Sequence, residues 1–272
     1  MPEQENSRQK LVKAFNDLSS SYDTLWFLQV CADRLVAQMP IPVGARVLDA
    51  ATGTGVVALA AAKAAGPGGR VVGVDLSEEM LARARQKAGD AGMGWVEFIT
   101  GDATRLDFAD GSFDFVFCSS ALFFMPDMLA AVKEWRRVLR PGGWLEICTF
   151  SDTFLQPLRD MWVDCERRNG VKPAYLPIDR LQEPAACRNL LDTAGFTQVE
   201  ARFEKSEYFL NAPEDRWVDI TAGLEGAPLK SLDAERTMRI KMEHLAELAA
   251  LVTPRGIRVD CSAIYTLGQN PG

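Results

Sequence analysis

Residues 46–58, Arg-Val-Leu-Asp-Ala-Ala-Thr-Gly-Thr-Gly-Val-Val-Ala, constrain this chain more than any other stretch. A short β-branched run leads into a glycine-rich turn, and the turn opens an alanine-rich helical stretch. Gly53 and Gly55 let the backbone turn sharply, and they leave no Cβ between main-chain amides and a ligand. The spacing from Gly53 to Ala58 satisfies the loose dinucleotide fingerprint G-x-G-x-x-G/A. Asp49, at the strand end just before the glycines, makes the pattern more specific. Its charge repels a pyrophosphate seated on the following helix N-terminus and attracts a ligand that carries an ammonium group. The alternative is that Asp49 caps its own loop.

Around this motif, strands and helices alternate. The pattern predicts strands over 46–50, 70–76, 96–100, 113–119 and 144–150, with helices over 56–65 and 128–139. Ser77 reads as the N-cap of a further helix, with Glu78 and Glu79 complementing its dipole. Pro141-Gly142-Gly143 suits a type II turn. Such βαβα alternation predicts an α/β fold, a Rossmann-like, doubly wound, mostly parallel sheet. Upstream, a polar tail precedes Leu11, Phe15, Leu18 and Tyr22 at helical spacing, and a second helix runs from about residue 25 to 39. Downstream, 151–183 reads as irregular helices, 183–195 as a helix, 198–209 as one long strand, 211–256 as helical and 257–267 as a final strand.

Asp49 with the glycine loop, Asp75 closing the second strand 20 residues after Gly55, and Asp102 in Gly101-Asp102-Ala103-Thr104 together resemble the class I S-adenosylmethionine-dependent methyltransferases. Within that superfamily the likeness is strongest to the group containing the ubiquinone and menaquinone-biosynthesis methyltransferases. The resemblance is good over 12–150 and only an outline beyond. It implies a seven-stranded sheet in a single domain over 1–272. The parts are an N-terminal helical cap at 1–43, a cofactor-binding core at 44–150, lid segments at 151–183 and 211–256, and a last strand within 257–272. It also implies S-adenosylmethionine as cofactor. Asp49 then binds its amino acid end, directly or through water, Asp75 takes both ribose hydroxyls, and Asp102 with Ala103 meets the adenine. Ala51, Gly53, Thr54, Gly55, Leu76 and Ser119 complete the cofactor site, and Tyr22-Asp23 resembles a Tyr-Asp that folds over the ligand. For Asp75 and Asp102 the plainer alternatives are helix entry and turn formation, and for Tyr22 a helix face.

One departure stands out. The quinone-ring enzymes carry Gly-x-Arg-Asn after the fourth strand, and here those positions read Ala121-Leu122-Phe123-Phe124. Phe123 and Phe124, with Tyr175 and Trp217 in the lid, form a candidate apolar acceptor wall; simple core packing is the alternative. Trp162 in the lid and Tyr208, just before its second segment, also suit a flat acceptor. No general base is identifiable. His244, the single histidine, lies between Glu243 and Glu247 and is expected on a solvated helix surface, with a lid-borne base as the other possibility.

Composition excludes other classes. Thirty Lys and Arg against 37 Asp and Glu give a net charge of −7, with no basic cluster to track a phosphate backbone, so no nucleic acid partner is expected. The six cysteines form no C-x-x-C pair, so neither a metal site nor a disulfide framework is expected, and a thiolate trio for arsenic methylation has little support in their spacing. The start, Met1-Pro2-Glu3-Gln4-Glu5-Asn6, lacks the apolar stretch of a signal peptide, and no segment reads as a membrane span. These features place the chain in the cytoplasm, acting on a small-molecule acceptor, with oligomeric state undetermined. The rival functions are a nicotinamide-dependent oxidoreductase, for which no Tyr-x-x-x-Lys pair is found, and a cofactor-binding scaffold that has lost catalysis.

Overall fold

The computed structural model describes residues 2–272, with side chains from residue 8 onward; Met1 and the side chains that follow it in the polar start lie outside the described residues. Two helices come first, α1 (Pro2–Leu18) and α2 (Trp26–Ala37). The polar tail is thus the first part of α1 rather than a separate segment, and Pro2 at its first position has no amide hydrogen to lose. Then follow β1 (Arg46–Ala50), α3 (Val56–Ala65), β2 (Arg70–Asp75), α4 (Glu78–Asp90), β3 (Val96–Thr100), β4 (Phe113–Ser119), α5 (Met128–Val138) and β5 (Leu139–Phe150). The Ser77 side chain accepts from Met80 N at 3.2 Å, which caps α4. Gly142, at φ +76°, follows Pro141 in the opening of β5, where pairing with β4 is irregular.

The last part contains α6 (Leu158–Arg168), α7 (Pro184–Thr193), β6 (Thr197–Glu204), β7 (Glu207–Leu210), α8 (Pro213–Ala222), α9 (Ala234–Ala249), β8 (Ile257–Asp260) and β9 (Ala263–Gln269). Two single strands expected from sequence are therefore each split. The 198–209 run breaks at Lys205-Ser206, and the 257–267 run breaks at Cys261-Ser262. Their inner pieces pair with each other as a separate two-stranded sheet, β7 with β8. The outer pieces join the main sheet. Periodicity alone could not show the break, because apolar residues continue through it. The 211–256 run is likewise two helices joined by a 3-10 segment, Leu224–Ser231, which contains Pro228.

The main sheet has seven strands in the order β3-β2-β1-β4-β5-β9-β6, parallel except around β9, which runs antiparallel to both neighbours. Its central strands are apolar on both faces, as a sheet covered on each side requires. One face packs against α2 and α3 around Leu35, Val57 and Phe117, and the other against α5 and α7 around Leu122, Trp135 and Leu191. A third, smaller cluster joins α6, α8 and α9 around Trp162, Ile220 and Ile240. Among the described residues no helix is long and apolar enough to cross a membrane.

The glycine loop fixes how α3 meets its neighbours. Gly55 has φ +80°, and a Cβ there would stand 2.9 Å from Ala84 Cβ and 2.9 Å from the Phe98 ring. The absent side chain of Gly55 thus lets the turn pack against α4 and β3. Gly55→Ala combines left-handed strain with overlap and is expected to cost roughly 2–4 kcal/mol. Chemical denaturation of the two proteins measures it.

Candidate functional site

The parallel strands β3, β2, β1 and β4 end side by side, and the order reverses between β1 and β4. Open α/β sheets place their crevice at such a reversal. A cleft of about 940 Å³ lies there. Tyr22, Asp49, Ala51, Gly53, Thr54, Asp75, Leu76, Asp102, Ala103, Ser119, Phe124 and Tyr175 all line it. Gly55 does not, for the reason just given. Gly53, at φ +53°, would meet nothing within 4 Å if it carried a Cβ, so it is the glycine that leaves backbone open to the cleft.

Each carboxylate first organises its own loop. Asp75 Oδ2 accepts from Gly53 N at 2.8 Å and its Oδ1 from Ser77 N at 2.9 Å, joining the tips of β1 and β2. Burial raises its pKa. Asp49, only 1% exposed, accepts from Thr52 Oγ1 at 2.6 Å and Ala58 N at 3.0 Å through one oxygen. Burial pushes the Asp49 carboxyl up to about 7, against the lowering effect of those two hydrogen bonds. The loop-capping alternative and a ligand role are therefore compatible: the second Asp49 oxygen is not used by either bond. Asp102 Oδ1 accepts from Thr104 N at 2.9 Å and Thr104 Oγ1 at 2.7 Å. Two non-glycine residues in left-handed backbone, Ala51 (φ 59°) and Ser120 (φ 56°), mark the facing tips of β1 and β4.

The N-terminal segment lies across the mouth. Arg8 pairs with Asp102 Oδ2 at 2.9 Å, Ser77 Oγ donates to Asn16 Oδ1 at 2.5 Å, and Thr54 Oγ1 donates to Asp23 Oδ1 at 2.5 Å. Asp23 is held in turn by Lys87 Nζ at 2.8 Å. Tyr22 sits inside the cleft, its phenol pKa raised by burial and then by the charges of Asp75 and Asp23. Of these contacts, sequence reading reached only Tyr22-Asp23. Arg8 and Asn16 sit on a polar helix face that nothing in the sequence distinguishes from a solvated one.

Residues 48–147 match the methyltransferase domain family. The demethylmenaquinone methyltransferase of Staphylococcus aureus (strain JH9) is 34% identical over 168 residues, covering 60% of this chain and 69% of that protein. The chain belongs to the class I S-adenosylmethionine-dependent methyltransferases. It is of the menaquinone type within them, it is an enzyme of that class, and its cofactor is S-adenosylmethionine. Solved structures agree in fold. The YcgJ protein of Bacillus subtilis matches at a TM-score of 0.57 with 22% identity, over 89% of this chain and 99% of that one. Phosphoethanolamine N-methyltransferase 2 of Haemonchus contortus, in complex with S-adenosyl-L-methionine, matches at 0.55 with 20% identity, over 91% and 53%.

Several expectations about the methyltransferase need correction. Trp217 does not reach the cleft; its ring packs edge-on against Trp162 at 6.0 Å in the third cluster. The aromatic pair at 123–124 divides: Phe123 is buried in the core, while Phe124 faces the cleft. His244 is not solvated. It has no exposed surface, because α9 packs that face against α6, and burial lowers its pKa to about 4. All six cysteines are buried and free, and among the described residues none lines the cleft, so no thiolate trio gathers there.

The carboxyl of Asp49 gives a test with a definite sign. A cationic amino group binds the ionised form, so the affinity of the site should rise as pH climbs through about 7. It should weaken below, by up to about tenfold per unit. Calorimetric titration with S-adenosylhomocysteine across this range measures the slope, and Asp49→Asn should flatten it.

Proposed function

We propose that this methyltransferase acts on a small aromatic, quinone-like acceptor. Asp49, Gly53, Thr54, Asp75, Asp102, Ala103, Ser119 and Tyr22 hold the cofactor in the cleft. When bound, the cofactor supplies a methyl already activated on a sulfonium, so the protein must position the acceptor, exclude water and take up a proton where needed. The observation that carries the acceptor reading is a second, smaller chamber of about 80 Å³, which shares Phe15, Tyr22, Leu28, Ser120 and Phe124 with the cleft. Phe27, Phe123, Phe150 and Phe154 form its inner wall. The Phe150 and Phe154 rings are nearly parallel at 3.8 Å, and Phe27 meets both edge-on. The edge of a flat ring lying in the larger cleft can reach into this chamber and meet aromatic faces and edges there. The similarity to a demethylmenaquinone methyltransferase supports the same class of acceptor.

The chamber also contains ionisable groups. Asp219 lines it, and burial pushes its carboxyl up to about 6. Tyr208 donates to Asp219 Oδ2 at 3.3 Å and so orients it. Arg216 also lines the chamber, but both oxygens of Glu225 hold it at 2.8 Å. Asp219 is therefore the group we assign as general base. Taking the proton of an acceptor hydroxyl makes its oxygen, and the ring carbons conjugated with it, more nucleophilic. The methyl that the activated oxygen or carbon would take is the one the cofactor would supply when held by Asp49, Asp75 and Asp102. This position was not found from sequence, because Asp219 looks like any polar residue of an amphipathic helix. Six free cysteines suit a reducing compartment, and we place the reaction in the cytoplasm.

Transfer of labelled methyl from S-adenosylmethionine to naphthoquinols, simple phenols and primary amines tests the reading. Incorporation into hydroxylated aromatic acceptors supports it; transfer confined to amines rejects it. Asp219→Asn is expected to lower kcat by about 10²–10⁴ and to remove the rise of kcat/KM through pH 6, leaving cofactor affinity unchanged.

A further inference from the structure

We propose that Cys165, His244 and Glu247 form a divalent-metal site of zinc character in the helical layer behind the acceptor chamber. Cys165 comes from α6, and His244 and Glu247 stand three residues apart on α9. Their donor atoms all lie within 4.8 Å of one another, and His244 Nδ1 is 3.8 Å from Glu247 Oε2. The independent sign of a ligand is the histidine itself. His244 is completely buried, and neither ring nitrogen has a hydrogen-bond partner. Glu247 Oε2 is equally buried and unpartnered, while its Oε1 is held by Arg168. The Cys165 sulfur has only long contacts, to Ile240 O at 3.8 Å and Asn169 Nδ2 at 4.0 Å. Native interiors rarely leave such groups unsatisfied, and here the unpartnered imidazole and carboxylate oxygen lie with the Cys165 sulfur within 4.8 Å of one another.

Sulfur, imidazole nitrogen and carboxylate oxygen together are a donor set for zinc, with three protein ligands and a fourth position for water. The charges also agree. A thiolate and one carboxylate neutralise a dication, once the metal has displaced the thiol proton. The neighbouring charges are already committed. Arg168 bridges Glu247 and Glu243, as an outer partner that orients a metal-binding carboxylate does, and Arg216 belongs to Glu225. Glu166, next to Cys165 on α6, also lies in these surroundings, with a buried carboxylate oxygen that has no hydrogen-bond partner. The site has a structural consequence. The Trp162 ring packs edge-on against His244 at 5.1 Å, and its Nε1 donates to Glu225 O at 3.3 Å. A metal tying α6 to α9 would thus brace the wall that carries Arg216 and Glu225.

The full chain, stripped with a chelator and dialysed, is titrated with zinc alone. Metal content is read by elemental analysis and unfolding is followed by heating. One zinc per chain is expected, with a melting temperature that rises with zinc concentration. Cobalt in place of zinc should give a thiolate-to-metal absorption band. Cys165→Ser and Glu247→Gln preserve side-chain size, and each should weaken zinc binding by about tenfold or more and abolish the zinc-dependent rise. Failure of the stripped chain to take up zinc, absence of the cobalt band in the parent protein, or parental affinity in either variant overturns the site; the first result would make water the partner of His244.

Discussion

The hydrogen bond from Gly53 N to the Asp75 carboxylate is the contact on which the cofactor cleft depends. It ties the tips of two adjacent parallel strands together at 2.8 Å. The second oxygen of Asp75 simultaneously holds Ser77 N at the start of α4. Asp49 does the same one strand over, reaching Thr52 and the start of α3 at Ala58. Asp49 is buried and Asp75 partly so, and desolvation raises the pKa of both. The backbone amides they accept are the orphan donors of turns and helix starts, so the burial satisfies two needs together. The acidic groups of the crevice are thus already oriented by the fold.

That preorganisation extends outward through the N-terminal segment. Arg8, Asn16 and Asp23 reach Asp102, Ser77 and Thr54, which belong to three different strand-tip loops. The segment therefore reads the arrangement of the whole cleft. Its polar contacts sit beside aromatic ones, since Phe15 meets both Tyr22 and Phe124 edge-on. Tyr22 and Phe15 each line both the cleft and the smaller chamber, so the N-terminal segment shapes the passage between them.

The sheet was readable from sequence where burial is two-sided. Val71, Val72 and Val74 and the Phe113–Cys118 run have no other place to go, and Gly53 and Gly55 announced the turn between β1 and α3. The cleft acids were readable for the same reason, because strand ends fix where a following carboxylate must lie. What failed depended on tertiary packing. Alternation along 198–209 and 257–267 continues through a break that only the pairing of β7 with β8 reveals. Gly55 and Gly53 look equivalent in the motif, yet Phe98 and Ala84 claim the space beside one and the cleft claims the other. His244 stands among glutamates on an amphipathic helix, and only the packing of α6 onto α9 shows that it is buried. Cys165 is 79 residues distant from it, so no ligand spacing could connect them.

The exchange of a polar pair for Phe123 and Phe124 now has a physical meaning. Phe123 backs the aromatic chamber and Phe124 forms the divide between chamber and cleft. Neither ring can bind a polar substituent or move a proton. Under the proposed function, an acceptor packed against these rings meets its polar partner elsewhere. Asp219, oriented by Tyr208, is the chamber acid that is not held in an ion pair. Arg216 is neutralised by Glu225, and the remaining side chains there are aromatic, aliphatic or hydroxyl-bearing apart from Arg159 and Asp219. Of the last two, only a carboxylate can accept a proton, since a guanidinium stays charged at any working pH. In the proposed reaction, acceptor packing by the rings after the fourth strand and proton removal by the half-buried Asp219 on α8 fall to different elements of the fold.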